Sequence, residues 1–246
     1  FLKAGAPDNI MVNLPLETPE VELAIRDPRI AAVSFTGSNS AGKKVAAIAG
    51  SEVKPCVLEL GGSDPVLVLN DANLEQAADI ICLSRIINAG QSCIAAKRVI
   101  VEADAHDRFI ELVEQRLGKL RLGDPLQADT DIGPIAREDL QLNLHRQVEE
   151  TIAAGAKCLL GGHLPKDDGF FYPVTLLTNV TPTMCAFREE TFGPVMVIIK
   201  ADDVDHALEM ANDTEYGLGA GIWTENASLA KSLALQIDSG QVAING

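Results

Sequence analysis

Residues 66–120 read VLVLNDANLEQAADIICLSRIINAGQSCIAAKRVIVEADAHDRFIELVEQRLGKL, and their periodicity decides the fold class. Val66–Leu69 is a short apolar run, Leu74–Asn88 a helical pattern, Arg98–Val101 a second apolar run and Ala105–Leu120 a second helix. Short apolar runs read as buried strands and longer amphipathic stretches as helices. The alternation extends in both directions. Upstream, Ile10–Leu14, Ile30–Phe35 and Val53–Leu60 read as strands. Thr18-Pro19-Glu20 supplies an N-cap, a first-turn proline and an early acid for a helix to about Arg26, and Ser40–Gly50 is a second helix. Downstream, Gly123-Asp-Pro and Gly133-Pro134 bracket a polar connection, and a long helix from about Ala136 stops at Gly155. Strands near Lys157–Leu160, Val195–Lys200 and Leu218–Trp223 follow, with helices near Val204–Asn212 and Ala227–Ile237. This pattern predicts an α/β chain with a largely parallel sheet. Gly61-Gly62 divides it into units 1–60 and 61–246.

Twenty Lys and Arg stand against 35 Asp and Glu over 246 residues, a formal net charge of −15. That balance excludes a nucleic-acid surface, which needs basic side chains in excess. No run approaches the roughly 20 apolar residues of a membrane-spanning helix. The five cysteines (56, 82, 93, 158, 185) form no Cys-x-x-Cys pair, and the four histidines have no metal-ligand spacing, so reduced thiols in the cytoplasm and no metal are expected. The chain begins at Phe1 and ends on a strand-like run, Gln241–Ile244, with the turn pair Asn245-Gly246. That pattern predicts a piece of a longer chain, in which residues 1–60 expose apolar surface.

Four stretches can carry chemistry. Phe35-Thr-Gly-Ser38 joins a strand to a helix, and free N–H groups at a helix start suit a phosphate. Gly37-x4-Gly42-Lys43 opens like a nucleotidase phosphate loop, but Lys44 stands where Ser or Thr would hold Mg²⁺, which argues against that reading. Leu58-Glu-Leu-Gly-Gly62 puts a carboxylate at the carboxyl end of a strand, a usual ligand position in open α/β sheets, though a solvated strand end is the plainer reading. Gly90-Gln-Ser-Cys93 sets a cysteine in a small polar turn, whereas the other four cysteines have apolar neighbours and read as core. Glu189-Glu-Thr-Phe-Gly-Pro194 places an aromatic ring before Gly-Pro and a strand, where it could pack on a flat ligand.

In this order and spacing the four stretches resemble the aldehyde dehydrogenase superfamily over the whole chain. Leu60-Gly-Gly-Ser-Asp-Pro65 and Gly90–Arg98 look most like its succinate-semialdehyde dehydrogenase branch. The resemblance implies a Rossmann-like cofactor-binding portion, residues 1–60, completed upstream, and an α/β catalytic domain, 61–246. It implies Cys93 as nucleophile and Glu59 as the base that activates the hydrolytic water. NAD or NADP would be held by Gly37, Ser38, Leu60, Gly61, Glu190 and Phe192. The Cys93 N–H would form half of an oxyanion hole. The implied partners are a small aldehyde, with succinate semialdehyde as the leading candidate, and further copies of the chain in a homo-oligomer.

Departures from the pattern are specific. The family's oxyanion-hole asparagine and its adenine-ribose lysine lie upstream of the stretch matched here. Ile87 stands where many succinate-semialdehyde enzymes carry an arginine. A catalytically incomplete, structural or partner-binding piece is therefore the alternative reading.

Overall fold

The computed structural model describes residues 1–166 and 169–246. They divide into two compact units, Phe1–Leu60 and Gly61–Gly246.

In the first unit, α1 (Thr18–Arg26) precedes β1 (Val33–Thr36), α2 (Asn39–Ser51) and β2 (Cys56–Glu59). The cap of α1 is Glu17 rather than Thr18: Glu17 and Glu20 form a reciprocal capping box, with Pro19 in the first turn. β1 and β2 are parallel, with Thr36 opposite Glu59. Ile25, Val45 and Ala49 form the small core, packed by Val21, Val33, Phe35 and Ile48. The strand expected over Ile10–Leu14 does not form. Ile10, Met11, Val12 and Leu14 are all exposed, because an apolar run becomes a strand only where a neighbour supplies ladder partners. Their exposure, with that of Val53, Val57 and Leu58, matches the apolar surface expected of this unit.

The second unit is a seven-stranded sheet in the order β5-β6-β7-β4-β3-β8-β9. Its strands are β3 (Pro65–Val68), β4 (Arg98–Glu102), β5 (Lys157–Leu160), β6 (Thr175–Thr178), β7 (Val195–Ala201), β8 (Gly219–Trp223) and β9 (Gln241–Ile244). All neighbours are parallel except β5 and β6. Sequence reading missed β6, Thr-Leu-Leu-Thr, whose two apolar residues give too short a signal.

Alternate residues of the central strands feed opposite faces, as strand geometry requires. Leu67, Ile100, Val197 and Ile199 join one core with Leu144, Val148, Ala207 and Leu233 of α5 (Glu138–Ala153), α7 (Val204–Asn212) and α8 (Ala227–Ala234). Val66, Val68, Val99, Val101 and Ile198 join the other with Ile81, Phe109 and Leu112 of α3 (Leu74–Ile86) and α4 (Ala103–Leu117). Side-chain caps start three of these helices: Asn73 accepts from Gln76, Asp203 from His206 and Asn226 from Leu229. A one-turn helix, α6 (Cys185–Arg188), precedes the loop to β7.

Phe109 is wholly buried between α4 and the sheet. Phe109→Ala should lower unfolding free energy by about 3–5 kcal/mol, read from urea denaturation, with the far-ultraviolet spectrum of the folded state retained.

Candidate active site

The first unit groups two of its expected site features at the carboxyl ends of its strands. β1 enters α2 through Gly37 and Ser38, and the Gly37 N–H donates to the Glu59 carbonyl at 3.1 Å. The Ser38 hydroxyl caps α2 by accepting from the Ala41 N–H at 3.3 Å. Glu59 is exposed, and Leu60 packs against Gly42 in the first turns of α2. Among the described residues, the buried Oδ1 of Asn39, at the start of α2, has no hydrogen-bond partner.

The second unit groups the others at the opposite end of its sheet. Segments 61–64, 91–97 and 190–194 run into the amino ends of β3, β4 and β7, which are neighbours. The backbones there nearly touch. A Cβ on Gly62 would stand 2.6 Å from the Cys93 carbonyl oxygen, and one on Gly90 would stand 2.2 Å from that of Gly193. Gly90 also has φ +73, and Asn88 and Ala89 before it have φ +53 and +54. Three successive left-handed residues, one of them alanine, hold strain of about 1–2 kcal/mol directly before the Gln-Ser-Cys turn. The helix expected to reach Asn88 therefore ends at Ile86.

Arg85, fully buried on α3, holds that turn against β7. Its guanidinium donates to the carbonyls of Gly90 (3.2 Å), Thr191 (2.8 Å), Ala96 (3.4 Å) and Gly193. Phe192, half-buried, is thus fixed between two clamped carbonyls. Gln91 ties the same turn to the loop before α5, donating to Pro134 O at 3.5 Å and accepting from the Ala136 N–H at 2.9 Å.

Glu190 reaches across from the β7 side. Its Oε1 accepts from the Gly62 N–H at 3.1 Å and lies 3.3 Å from Lys97 Nζ, while Oε2 rests over Gly61. Lys97 Nζ also donates to the carbonyls of Ser92 and Cys93, each at 2.8 Å. Next to it, buried Arg98 donates to Ser63 O and to the carbonyls of Met210 and Ala211 in the last turn of α7, a favourable end for a cation. Burial lowers the Arg85 and Arg98 pKa values to about 9 and about 10, leaving both charged at neutral pH.

Sequence reading singled out Cys93, Gly61, Glu190 and Phe192 here but missed Arg85, Lys97, Arg98 and Asp64. One signal was available: Arg85 interrupts the apolar face of a helix, and Lys97-Arg98 opens an otherwise apolar strand. The cysteine reading needs correction. Cys82 is buried, but Cys56, Cys158 and Cys185 are half-buried like Cys93, because flanking apolar residues do not fix which face a side chain takes. Exposure does not distinguish Cys93; its turn does.

The second unit is thus an open α/β fold that carries a thiol on a strained, cation-clamped turn. The aldehyde dehydrogenase family profile matches residues 1–246. Succinate semialdehyde dehydrogenase [NAD(P)+] Sad of Escherichia coli K12 is 48% identical over 246 residues, all of this chain and 53% of that protein. Succinate-semialdehyde dehydrogenase [NADP(+)] of Mycobacterium leprae is 45% identical over 244 residues, 99% of this chain and 53% of that protein. The solved structure of Gox0499, described for cofactor and substrate selection, superposes with TM-score 0.96 at 37% identity, covering 99% of this chain and 54% of its own. Lactaldehyde dehydrogenase from E. coli superposes at 0.89 and 36%, covering 92% and 47%. The chain belongs to the aldehyde dehydrogenase family and spans about half the length of the curated relatives it matches. Among the described residues, no helix is long and apolar enough to cross a membrane.

Two outcomes are expected. Burial pushes the Cys82 thiol up to about 12, so iodoacetamide near neutral pH should leave Cys82 unmodified in the folded chain while labelling Cys93, read by peptide mass spectrometry. Burial also holds the Asp64 carboxyl above its ordinary 3.8, against the pull of Lys97. A group with a raised folded pKa favours the folded state while protonated, and that contribution is lost as pH rises through the raised value. Asp64→Asn should therefore gain stability relative to wild type as pH is taken from below 3.8 to neutral, measured as the difference in urea midpoint.

Proposed function

We propose that the chain carries the nucleophile, the hydrolytic base and part of the cofactor site of an NAD(P)⁺-dependent aldehyde dehydrogenase. The observation that supports this most directly is the meeting of the Cys93 turn, Gly61-Gly62 and Glu190 within one unit. The Cys93 thiolate adds to the aldehyde carbon to give a thiohemiacetal, and by the resemblance to the family the Cys93 N–H would donate to the oxyanion. The hydride that leaves this carbon needs an acceptor, which bound NAD⁺ or NADP⁺ would supply. The resulting thioester is hydrolysed by water that Glu59 deprotonates, releasing the carboxylic acid and restoring the thiol.

The residues suit such a cofactor. The start of α2 offers free N–H groups and the unpartnered Asn39 Oδ1, and Gly37-Ser38 lead into it. Glu190 Oε2 can accept from sugar hydroxyls while Oε1 stays engaged, and Phe192 offers an aromatic ring on backbone that Arg85 holds at both neighbouring carbonyls. The resemblance to the family adds Leu60 and Gly61 to the residues that would hold the cofactor. Succinate semialdehyde or a similar short aldehyde is the proposed substrate, from the names of the 45–48% identical relatives. The free cysteines fit the reducing cytoplasm. Exposed Ile80 and Leu83 on α3, with Ile87 just after it, suit a homo-oligomer.

In the full-length protein, Cys93→Ala should reduce NADPH or NADH formation from aldehyde by at least about a thousandfold. Glu59→Gln should retain a burst of reduced cofactor equal to the enzyme present and accumulate a thioester on Cys93, seen by intact mass. Unchanged turnover in Cys93→Ala contradicts the assignment.

A further inference from the structure

We propose that Lys97 is a positioning residue: its ammonium pins the backbone of Cys93 and the carboxylate of Glu190 in one fixed arrangement. This rests on the dehydrogenase reading for its functional consequence but not for its structural test.

An ammonium has three protons to donate, and each has an acceptor here: Ser92 O at 2.8 Å, Cys93 O at 2.8 Å and Glu190 Oε1 at 3.3 Å. The side chain is 1% exposed, so the charge is held out of water, and burial lowers its pKa despite the counter-charge of Glu190. An apolar side chain of similar length would fill that volume without such a desolvation cost. What the apolar chain could not do is supply a donor to Cys93 O, which has no other among the described residues, or add to the single turn bond, from the Ala95 N–H at 3.3 Å, that Ser92 O would keep.

The base of the side chain is fixed as firmly as its tip. The Lys97 N–H donates to the Asp64 carbonyl at 3.3 Å, and Arg98 then begins β4, paired with Pro65 and Val197. Lys97 therefore spans from the sheet to the Cys93 turn. Through Glu190 it also reaches the Gly62 N–H, and Gly62 itself abuts the Cys93 carbonyl. Segments 92–93 and 190 meet at the one nitrogen, and Gly62 joins them through Glu190 Oε1. With Oε1 occupied on both sides, Glu190 is left to present Oε2.

The decisive variants are Lys97→Met, which keeps length and volume, and Lys97→Arg, which keeps charge and donors. In amide hydrogen exchange on the whole chain, Lys97→Met should speed exchange across residues 91–96 by about tenfold or more, with β4 and β7 still protected. Lys97→Arg should recover a substantial part of that protection. If Lys97→Met loses protection across the sheet, the Lys97→Met/Glu190→Gln pair removes the stranded carboxylate and becomes the test. Fast exchange at 91–96 in a folded double variant supports the proposal. Slow, wild-type exchange at 91–96 in either folded variant overturns it, as does rescue by Met but not Arg, which would mean that Lys97 only fills space.

In the full-length protein, Lys97→Met should raise KM for NADP⁺ by about tenfold and Lys97→Arg by less. Absence of turnover in the wild-type protein would defeat the dehydrogenase reading, while unchanged exchange in Lys97→Met defeats this one.

Discussion

The second unit depends on satisfying main-chain carbonyls where three loops crowd the amino ends of β3, β4 and β7. A buried carbonyl without a donor costs about 1–3 kcal/mol. No regular structure supplies donors there, because the chain is turning through left-handed residues at Asn88, Ala89 and Gly90. Buried cations supply most of them, beside turn bonds from the Ala95 N–H to Ser92 O and the Val195 N–H to Gly193 O. Arg85 serves the Gly90–Gly193 contact, Lys97 the Ser92–Cys93 turn, and Arg98 the Ser63 turn and the last turn of α7. Each charge is expensive to bury, and each is retained because several acceptors converge on it.

The same arrangement ties down the turn that carries the candidate nucleophile. Strain at Asn88 and Ala89 persists only where surrounding contacts over-determine it. Those contacts are the Arg85 clamp, the Gln91 bridges to Pro134 and Ala136, and the close approach of Gly62 to Cys93. In the first unit the logic differs: Gly37, Ser38 and Glu59 sit at the carboxyl ends of β1 and β2, where a helix N-terminus offers donors to a ligand.

Most helices and central strands were legible in the sequence. Val204–Asn212 and Lys157–Leu160 form as read, and Val66–Leu69 and Arg98–Val101 form within one residue at their ends. The two central strands bury on both faces, so their apolar runs are strong. Ile10–Leu14 failed because hydrophobicity does not supply a pairing partner, and Thr175–Thr178 was missed because its apolar run is two residues long. The reversed pairing of β5 with β6 also lies outside local sequence, since no crossover helix is described between them to enforce parallel order.

The candidate site divides along the same line. Glycine, cysteine and carboxylate motifs are local patterns, so the family resemblance that they carry in order pointed to Cys93, Glu59, Glu190 and Gly37. The partners that hold the second unit's residues are not local. Lys97 and Glu190 are 93 residues apart, and Arg85 and Gly193 are 108 apart. A lysine or arginine in a sequence reads as a surface charge, and only packing decides that it is buried and which carbonyls it must satisfy. The sequence by itself determined the α/β class and the groups able to do chemistry. The tertiary structure decided which buried cations fix the Cys93 turn and Glu190, because that depends on backbones meeting across neighbouring strands.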